Sequence, residues 1–258
     1  MTENLIFIII VIKQKMNYNI FVLIKAVIDD VRIDQKTGEP SVAGSKYKMD
    51  DISRNAVEEA VRIKEKHGGK STGIIFGDDY ASLVIKEALA MGLDEGIMIK
   101  GYRENDPRVT AQVISKKLHE TAWDIVLMGY SSADSYTAQL PARIARLLDR
   151  PLMGNAIKLE LNERNARATL ELEDFNALVE SELPLIVSVA QEINVPRIPT
   201  LLQIMAASRK PLKVESPTIT YPDDYKVMNN IAPRSVRKRI IYEDIAKGID
   251  EISKVLKS

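Results

Sequence analysis

The sequence of 258 residues has no cysteine, only two histidines and one tryptophan, and no excess charge of either sign, with 36 Lys and Arg against 36 Asp and Glu. Each shortage excludes something. Without thiols there is no disulfide, thiolate nucleophile, iron–sulfur cluster or cysteine-based zinc centre. His67 and His119 leave little for a histidine metal site, and both read as surface or helix-end residues. Zero net charge supplies no general attraction to nucleic acid. No GxGxxG, GxSxG or HExxH pattern occurs. Gly69-Lys70-Ser71 looks like the end of a phosphate-binding loop. However, position 64 is Lys where that pattern requires Gly, and the triplet closes a helix and opens a strand, the reverse of the required order. The sequence does have an ordinary apolar fraction, 45%, on a chain long enough to bury a full core.

Long hydrophobic runs are also missing. Leu5 to Ile12 is uncharged but stops at Lys13, whereas a membrane span needs about twenty residues. The start is not basic and no A-x-A cleavage site follows, as a signal peptide would need. Residues 1–15 therefore read as an appended or mis-started segment before Met16, with an extra β-strand, and after it a membrane anchor, as the competing readings. Neither direct membrane insertion nor export is expected, which makes the chain cytoplasmic.

From Met16 onward, short apolar runs alternate with longer amphipathic stretches. Ile20 to Ile24, Thr72 to Phe76, Gly96 to Ile99 and Trp123 to Met128 read as buried strands. Between and after them lie predicted helices at 53–67, 81–91, 109–120 and 137–148. The first is capped by Asp50, Asp51 or Ser53 and ended by Gly68-Gly69; the second is ended by Gly92. This is the pattern of right-handed βαβ units on a parallel sheet. Beyond Pro151 it changes. Ile157–Leu161 and Ala168–Leu172 predict a hairpin, Leu185–Ala190 another buried strand, and five prolines between 196 and 222 predict an irregular stretch. A basic cluster, Arg234 to Arg239, precedes an amphipathic final helix at 243–256.

Ligands of open parallel sheets bind beyond the carboxyl ends of the strands. Those ends are residues 23–28, 76–80 and 129–137. The last is the most informative: Gly129, Tyr130, Ser131, Ser132, Ala133, Asp134, Ser135, Tyr136 and Thr137 are small or hydroxylated and precede a predicted helix. Free backbone N–H groups at a helix start suit an anion. Asp134 suits a helix cap, or a partner for a ribose hydroxyl or a base, better than it suits a phosphate. An ordinary polar strand–helix loop is the alternative. The acidic pairs at 29–30, 50–51 and 78–79 fit caps and turns better than metal ligation.

Four segments resemble, in order, the β-subunit of electron transfer flavoproteins. Met49 to Ala60 (MDDISRNAVEEA) is similar to the family's M-N-P-x-x-x-x-A-V-E-E-A segment, and Ala88 to Gly92 to its A-L-A-M-G helix end. Gly129 to Gln139 resembles its acidic D-T-A-Q loop, and Pro196 to Met205 its P-R-x-x-T-L-x-x-I-M signature. The resemblance implies an α/β, Rossmann-like open parallel sheet with flanking helices, a small β-hairpin and an extended C-terminal arm. It divides the chain into the appended segment at 1–15, a nucleotide-binding domain at 16–222, and an arm at 223–258 that packs on an α-subunit carrying redox FAD. It implies AMP, or in electron-bifurcating members a second FAD, held by Leu23, Asp50, Asp51, Ile52, Ser53, Phe76 and residues 129–137. It also implies a recognition loop at 196–205 for flavin dehydrogenases or a membrane quinone oxidoreductase, with Leu201 as apolar anchor beside Arg197, Leu202, Ile204 and Met205. No catalytic side chain and no metal are implied. Asp50-Asp51 stands where the family has Asn-Pro, and Tyr136 replaces its second acid. The short spacing from Asp134 to Thr137 resembles the bifurcating branch. A stand-alone adenine-nucleotide-binding regulatory module of similar fold is the other functional class considered.

Overall fold

Apolar runs too short for helices become the strands of one large sheet. The computed structural model of the chain describes residues 16–34, 36–42, 44–102, 106–222, 228–232 and 240–256. The appended segment at 1–15 and the basic cluster at 234–239 lie outside the described residues. Contacts divide the chain into two compact units, Met1–Asp30 with Gly44–Tyr225, and Val31–Ala43 with Lys226–Ser258.

In chain order the elements are β1 (Tyr18–Ile24), β2 (Ala26–Ile28), β3 (Arg32–Ile33), β4 (Pro40–Ser41), β5 (Tyr47–Met49), α1 (Asp51–His67), β6 (Gly69–Phe76), α2 (Ala81–Met91), β7 (Glu95–Ile99), α3 (Pro107–His119), β8 (Ile125–Gly129), α4 (Leu140–Leu148), β9 (Leu152–Asn162), β10 (Asn165–Glu171), β11 (Asn176–Glu182), β12 (Leu185–Val189), α5 (Leu201–Ala207), β13 (Leu212–Glu215) and α6 (Ile245–Leu256). A 3-10 turn, Gln191–Ile193, follows β12.

The first unit is a nine-stranded sheet in the order β11-β10-β9-β12-β8-β1-β6-β7-β13. From β9 across to β13 every neighbouring pair is parallel, while β10 runs antiparallel to both its neighbours. The central strands are apolar on both faces because helices cover both. Along β1, Ile20, Val22 and Ile24 join a cluster with Ala56, Val57 and Ala60 of α1 and Ile85 and Leu89 of α2. Phe21 and Leu23 point the other way, toward Ile114 and Leu118 of α3 and Ile144 and Leu148 of α4. The chain thus winds from β1 outward through β6 and β7, then returns to lay β8 on the other side of β1. That reversal makes the carboxyl ends of β1 and β8 the switch point of the sheet, where such sheets hold ligands.

The expected α/β parallel sheet with flanking helices and a hairpin is what forms. Differences lie at the edges. The last sheet-flanking helix begins at Leu140 instead of 137, because Tyr136 (φ 48°) and Ala138 (φ 52°) take left-handed backbone that breaks any earlier turn. The hairpin is tighter than 162–167, since β9 and β10 run up to Asn162 and from Asn165. Its third strand, β11, is additional: it alternates exposed and half-buried residues, so it carries no apolar run. The proline-rich stretch holds α5 and β13 between its prolines. Gly69 to Ser71 opens β6 after a helix, so that triplet is a helix end and strand start.

In the second unit, β3 and β4 form a two-stranded ribbon. Gly38 lies between them with φ 78°, and a Cβ there would fall 2.8 Å from Ile231 Cγ2, so glycine is required. Asp244 Oδ1 caps α6 through Ala246 N at 2.8 Å. Ile245, Ile249, Ile252, Val255 and Leu256 of that helix are exposed.

Candidate nucleotide site and apolar helix

One charged cluster gathers at the carboxyl ends of β1 and β8. Where β1 ends, Lys25 donates its backbone N–H to Ser53 Oγ (3.2 Å) and accepts at its carbonyl from Asp50 N (3.0 Å). Asp50 is 1% exposed. One of its carboxylate oxygens caps α1 by accepting from Ser53 N (3.1 Å), and the other accepts from Ala133 N (2.8 Å). A buried carboxylate held by two backbone donors at a helix start is stabilised by hydrogen bonding and by the helix dipole. Asp50 thereby ties the β8–α4 loop to the first turn of α1. Gly129 permits that approach: a Cβ there would sit 3.1 Å from Ile52 Cγ2.

Above this tie, Lys25 Nζ donates to Asp134 Oδ1 (2.7 Å) and Ser132 Oγ (2.9 Å), with Ser135 Oγ at 3.4 Å. Burial pushes the Asp134 carboxyl up, but hydrogen bonds from Lys25 and Ser132 outweigh it and hold the group below its ordinary range. Tyr136 N closes a turn onto Ser132 O (2.9 Å), and the Tyr130 and Tyr136 hydroxyls meet at 2.9 Å. Ser131 Oγ is buried with no protein partner. Such a group requires a water or a ligand to complete it.

The structure therefore brings together Asp50, Ile52, Ser53 and residues 129–135. Asp51 is exposed, near Lys48 and Arg54. Leu23 is in the apolar cluster beneath, and Phe76 packs against that cluster with its ring 5.2 Å from Tyr102. Thr137 is exposed and stands outside α4, so its hydroxyl does not coincide with helix-end amides. Lys25 is the residue that sequence reasoning missed. Its signal was a single cation at the end of a buried strand, directly ahead of the switch point.

A second region is made from α1 and the segment after β12. Asn55 Nδ2 donates to Gln191 O (3.0 Å) and Asn194 O (2.8 Å), and Asn194 Nδ2 donates back to Asn55 O and to Glu59 Oε2, both at 3.0 Å. Glu58, 2% exposed, accepts from Arg62 Nε (2.7 Å) and from Arg197 through N (3.1 Å), Nε (2.8 Å) and Nη2 (3.2 Å). Arg197 also forks onto Glu65 at 2.7 and 3.1 Å. Burial pushes the Glu58 carboxyl up, yet the Arg197 bonds win and hold it low; burial raises Glu59, whose hydrogen bond from Asn194 opposes it less effectively.

Three residues later α5 starts with a capping box between Thr200 and Gln203. Ala207 is buried at the end of α5, and Lys210 Nζ donates to Leu89 O (2.8 Å) and Leu93 O (2.6 Å). Between these anchors, Leu201 (73% exposed), Leu202, Ile204 and Met205 face solvent. Exposed apolar surface of this kind is a candidate interaction site. Among the described residues, no helix is long and apolar enough to cross a membrane, and no cluster of three or more acidic or histidine side chains is arranged to hold a metal ion.

A family model described as "Electron transfer flavoprotein domain" matches residues 42–220. The chain is 36% identical over 216 residues to the electron transfer flavoprotein subunit beta of Thermoanaerobacterium thermosaccharolyticum, covering 82% of each chain. It is 34% identical over 199 residues to the subunit of that name from Bacillus subtilis, covering 76% of this chain and 77% of the relative. The likeness to the probable subunit of Saccharomyces cerevisiae, 26% over 255 residues, spans 93% and 98% of the two chains.

Proposed function

Since the chain belongs to the electron transfer flavoprotein β-subunit family, we propose that it pairs with an α-subunit, holds an adenine nucleotide at the β1–β8 switch point and docks flavin dehydrogenases or a membrane quinone oxidoreductase through α5, as a cytoplasmic electron carrier. The observation that carries this reading is the cluster of Lys25, Asp50, Ser132 and Asp134, which builds a polar loop at the switch point of the sheet.

The residues fit a nucleotide. Ser131 Oγ is a buried hydroxyl without a partner, and the hydroxyls of Ser132 and Ser135 sit beside Asp134, which can accept from a ribose. Asp50 does not repel a phosphate as strongly as its charge suggests, because both its oxygens are engaged by backbone donors. Phosphate is then best received by the exposed backbone and hydroxyl of Thr137, ahead of α4 and away from Asp50. The nucleotide is AMP or a second FAD. The short spacing from Asp134 to Thr137 favours FAD, as in electron-bifurcating members. When bound, flavin supplies the redox chemistry; the protein binds it, orients it and shields it from water. No side chain of this chain needs to act as acid, base or nucleophile.

A stand-alone nucleotide module would have no use for the exposed apolar faces of α5 and α6. In this reading, α6 and its arm cover part of the α-subunit. Co-expression with an α-subunit homologue tests the proposal. A yellow heterodimer that releases two FAD, or one FAD and one AMP, on denaturation is the expected result. A stable colourless homodimer without adenine nucleotide would overturn it.

A further inference from the structure

We infer that Glu58 and Arg197 are positioning residues for docking: their ion pair, laid along one face of α1, sets the pose in which α5 meets a partner flavoprotein. The inference rests on the proposed role of α5. It concerns residues that neither line a nucleotide site nor present an apolar surface.

The argument starts from what the segment 191–200 lacks. It contributes little to the core, has no strand partner, and contains Pro196 and Pro199, which donate no backbone N–H. Its position is fixed instead by side chains at 55, 58, 59, 62 and 65 of α1, whose three- and four-residue spacing puts them on one face. Glu58 is the centre. It is nearly fully buried, an unfavourable place for a lone carboxylate, and it accepts three hydrogen bonds from Arg197 and one from Arg62. Arg197 spans Glu58 and Glu65 with its planar fork, which a lysine cannot reproduce. Buried ion pairs of this kind are poor sources of net stability relative to apolar packing of the same volume, but they fix geometry. Only Ile198, Pro199 and Thr200 separate Arg197 from Leu201, so a shift at the fork is transmitted directly to the exposed face of α5.

The test uses the α/β complex and a flavin dehydrogenase from the same organism that reduces the unmodified complex. Glu58→Gln and Arg197→Lys should each raise KM for the dehydrogenase about tenfold, and the double variant should raise it no further than the worse single one, as for residues acting as a unit. The maximal rate at saturating dehydrogenase, reduction by dithionite and nucleotide content should stay as in the unmodified protein, while the melting temperature falls without loss of the folded complex. Leu201→Ala is the control for the underlying reading. If it raises KM while Glu58→Gln and Arg197→Lys do not, the positioning role is overturned and docking by α5 stands. If Leu201→Ala leaves KM unchanged, the docking role of α5 fails and the positioning role falls with it. Loss of the folded complex in both ion-pair variants would make the network a staple of the fold, which also overturns the inference.

Discussion

The first turn of α1 and the face that runs along its length meet opposite kinds of surface. At its N-terminus, Asp50 holds a loop whose charges and most of whose hydroxyls are engaged within the protein: Lys25 with Asp134, Ser132 with both. Further along the helix, Asn55, Glu58 and Glu65 hold a segment whose next helix exposes leucine, isoleucine and methionine. The first surface is polar and adjustable, because a ligand can exchange one hydrogen bond for another. The second is apolar and fixed, because a protein partner gains most from burying a pre-shaped anchor. One helix thus supplies the reference frame for the proposed nucleotide site and the proposed docking surface, using different chemistry at each.

This contrast makes separable predictions. The largest effect is expected at the apolar end: Leu201→Ala should raise KM for a dehydrogenase about thirtyfold, the factor that corresponds to roughly 2 kcal/mol at a hot spot, with the nucleotide retained. Stopped-flow reduction of the complex checks this, and loss of nucleotide would break the separation. At the polar end, Lys25→Met removes the cation from Asp134 and should lower nucleotide retained after gel filtration about tenfold, with KM unchanged. Asp50→Ala should cost about 1–2 kcal/mol in urea unfolding through loss of the α1 cap, and should also increase hydrogen exchange in 129–137. An unaltered loop would show that Ala133 does not depend on Asp50. The smallest effect is in pH. A carboxyl held below its usual value of 3.8 contributes stability that is present above that value and is lost as pH falls through the lower folded one. The urea midpoint should therefore drop slightly more between about pH 5 and about pH 3 in the unmodified protein than in Asp134→Asn. Equal slopes would mean that the Lys25–Asp134 pair is not formed in solution.

The sequence made the buried parts legible and left the half-exposed parts obscure. The helix at Ala81–Met91 is readable to the residue because Gly92 stops it, and the strand at Leu185–Val189 to within one residue of the expected end at Ala190, because nothing in it is exposed. By contrast, β11 alternates exposed Asn176, Leu178, Glu180 and Glu182 with half-buried Ala177, Val179 and Ser181, so only its neighbour β10 reveals it. The start of α4 was misplaced because left-handed backbone at Tyr136 and Ala138 is a property of the loop's packing and not of those residue types. The site shows the same limit. Serines, Asp134 and Gly129 stood out as a group, whereas Lys25 lies about a hundred residues away in sequence and reaches Asp134 only because β1 and β8 are neighbours.

The double tether of α5 has a kinetic consequence. Arg197 before it and Lys210 after it leave a helix that is already formed when an encounter begins. Little ordering entropy remains to be lost on association, so binding should not wait for a folding step and should proceed at the ordinary rate for rigid patches, roughly 10⁵–10⁷ M⁻¹s⁻¹. The heat-capacity change should match the apolar area covered, without the extra contribution of coupled folding. Under the proposed docking role, this arrangement suits a carrier that visits several partners in turn: contacts would form quickly, with a lifetime set by how well each partner's cavity fits Leu201 and its neighbours.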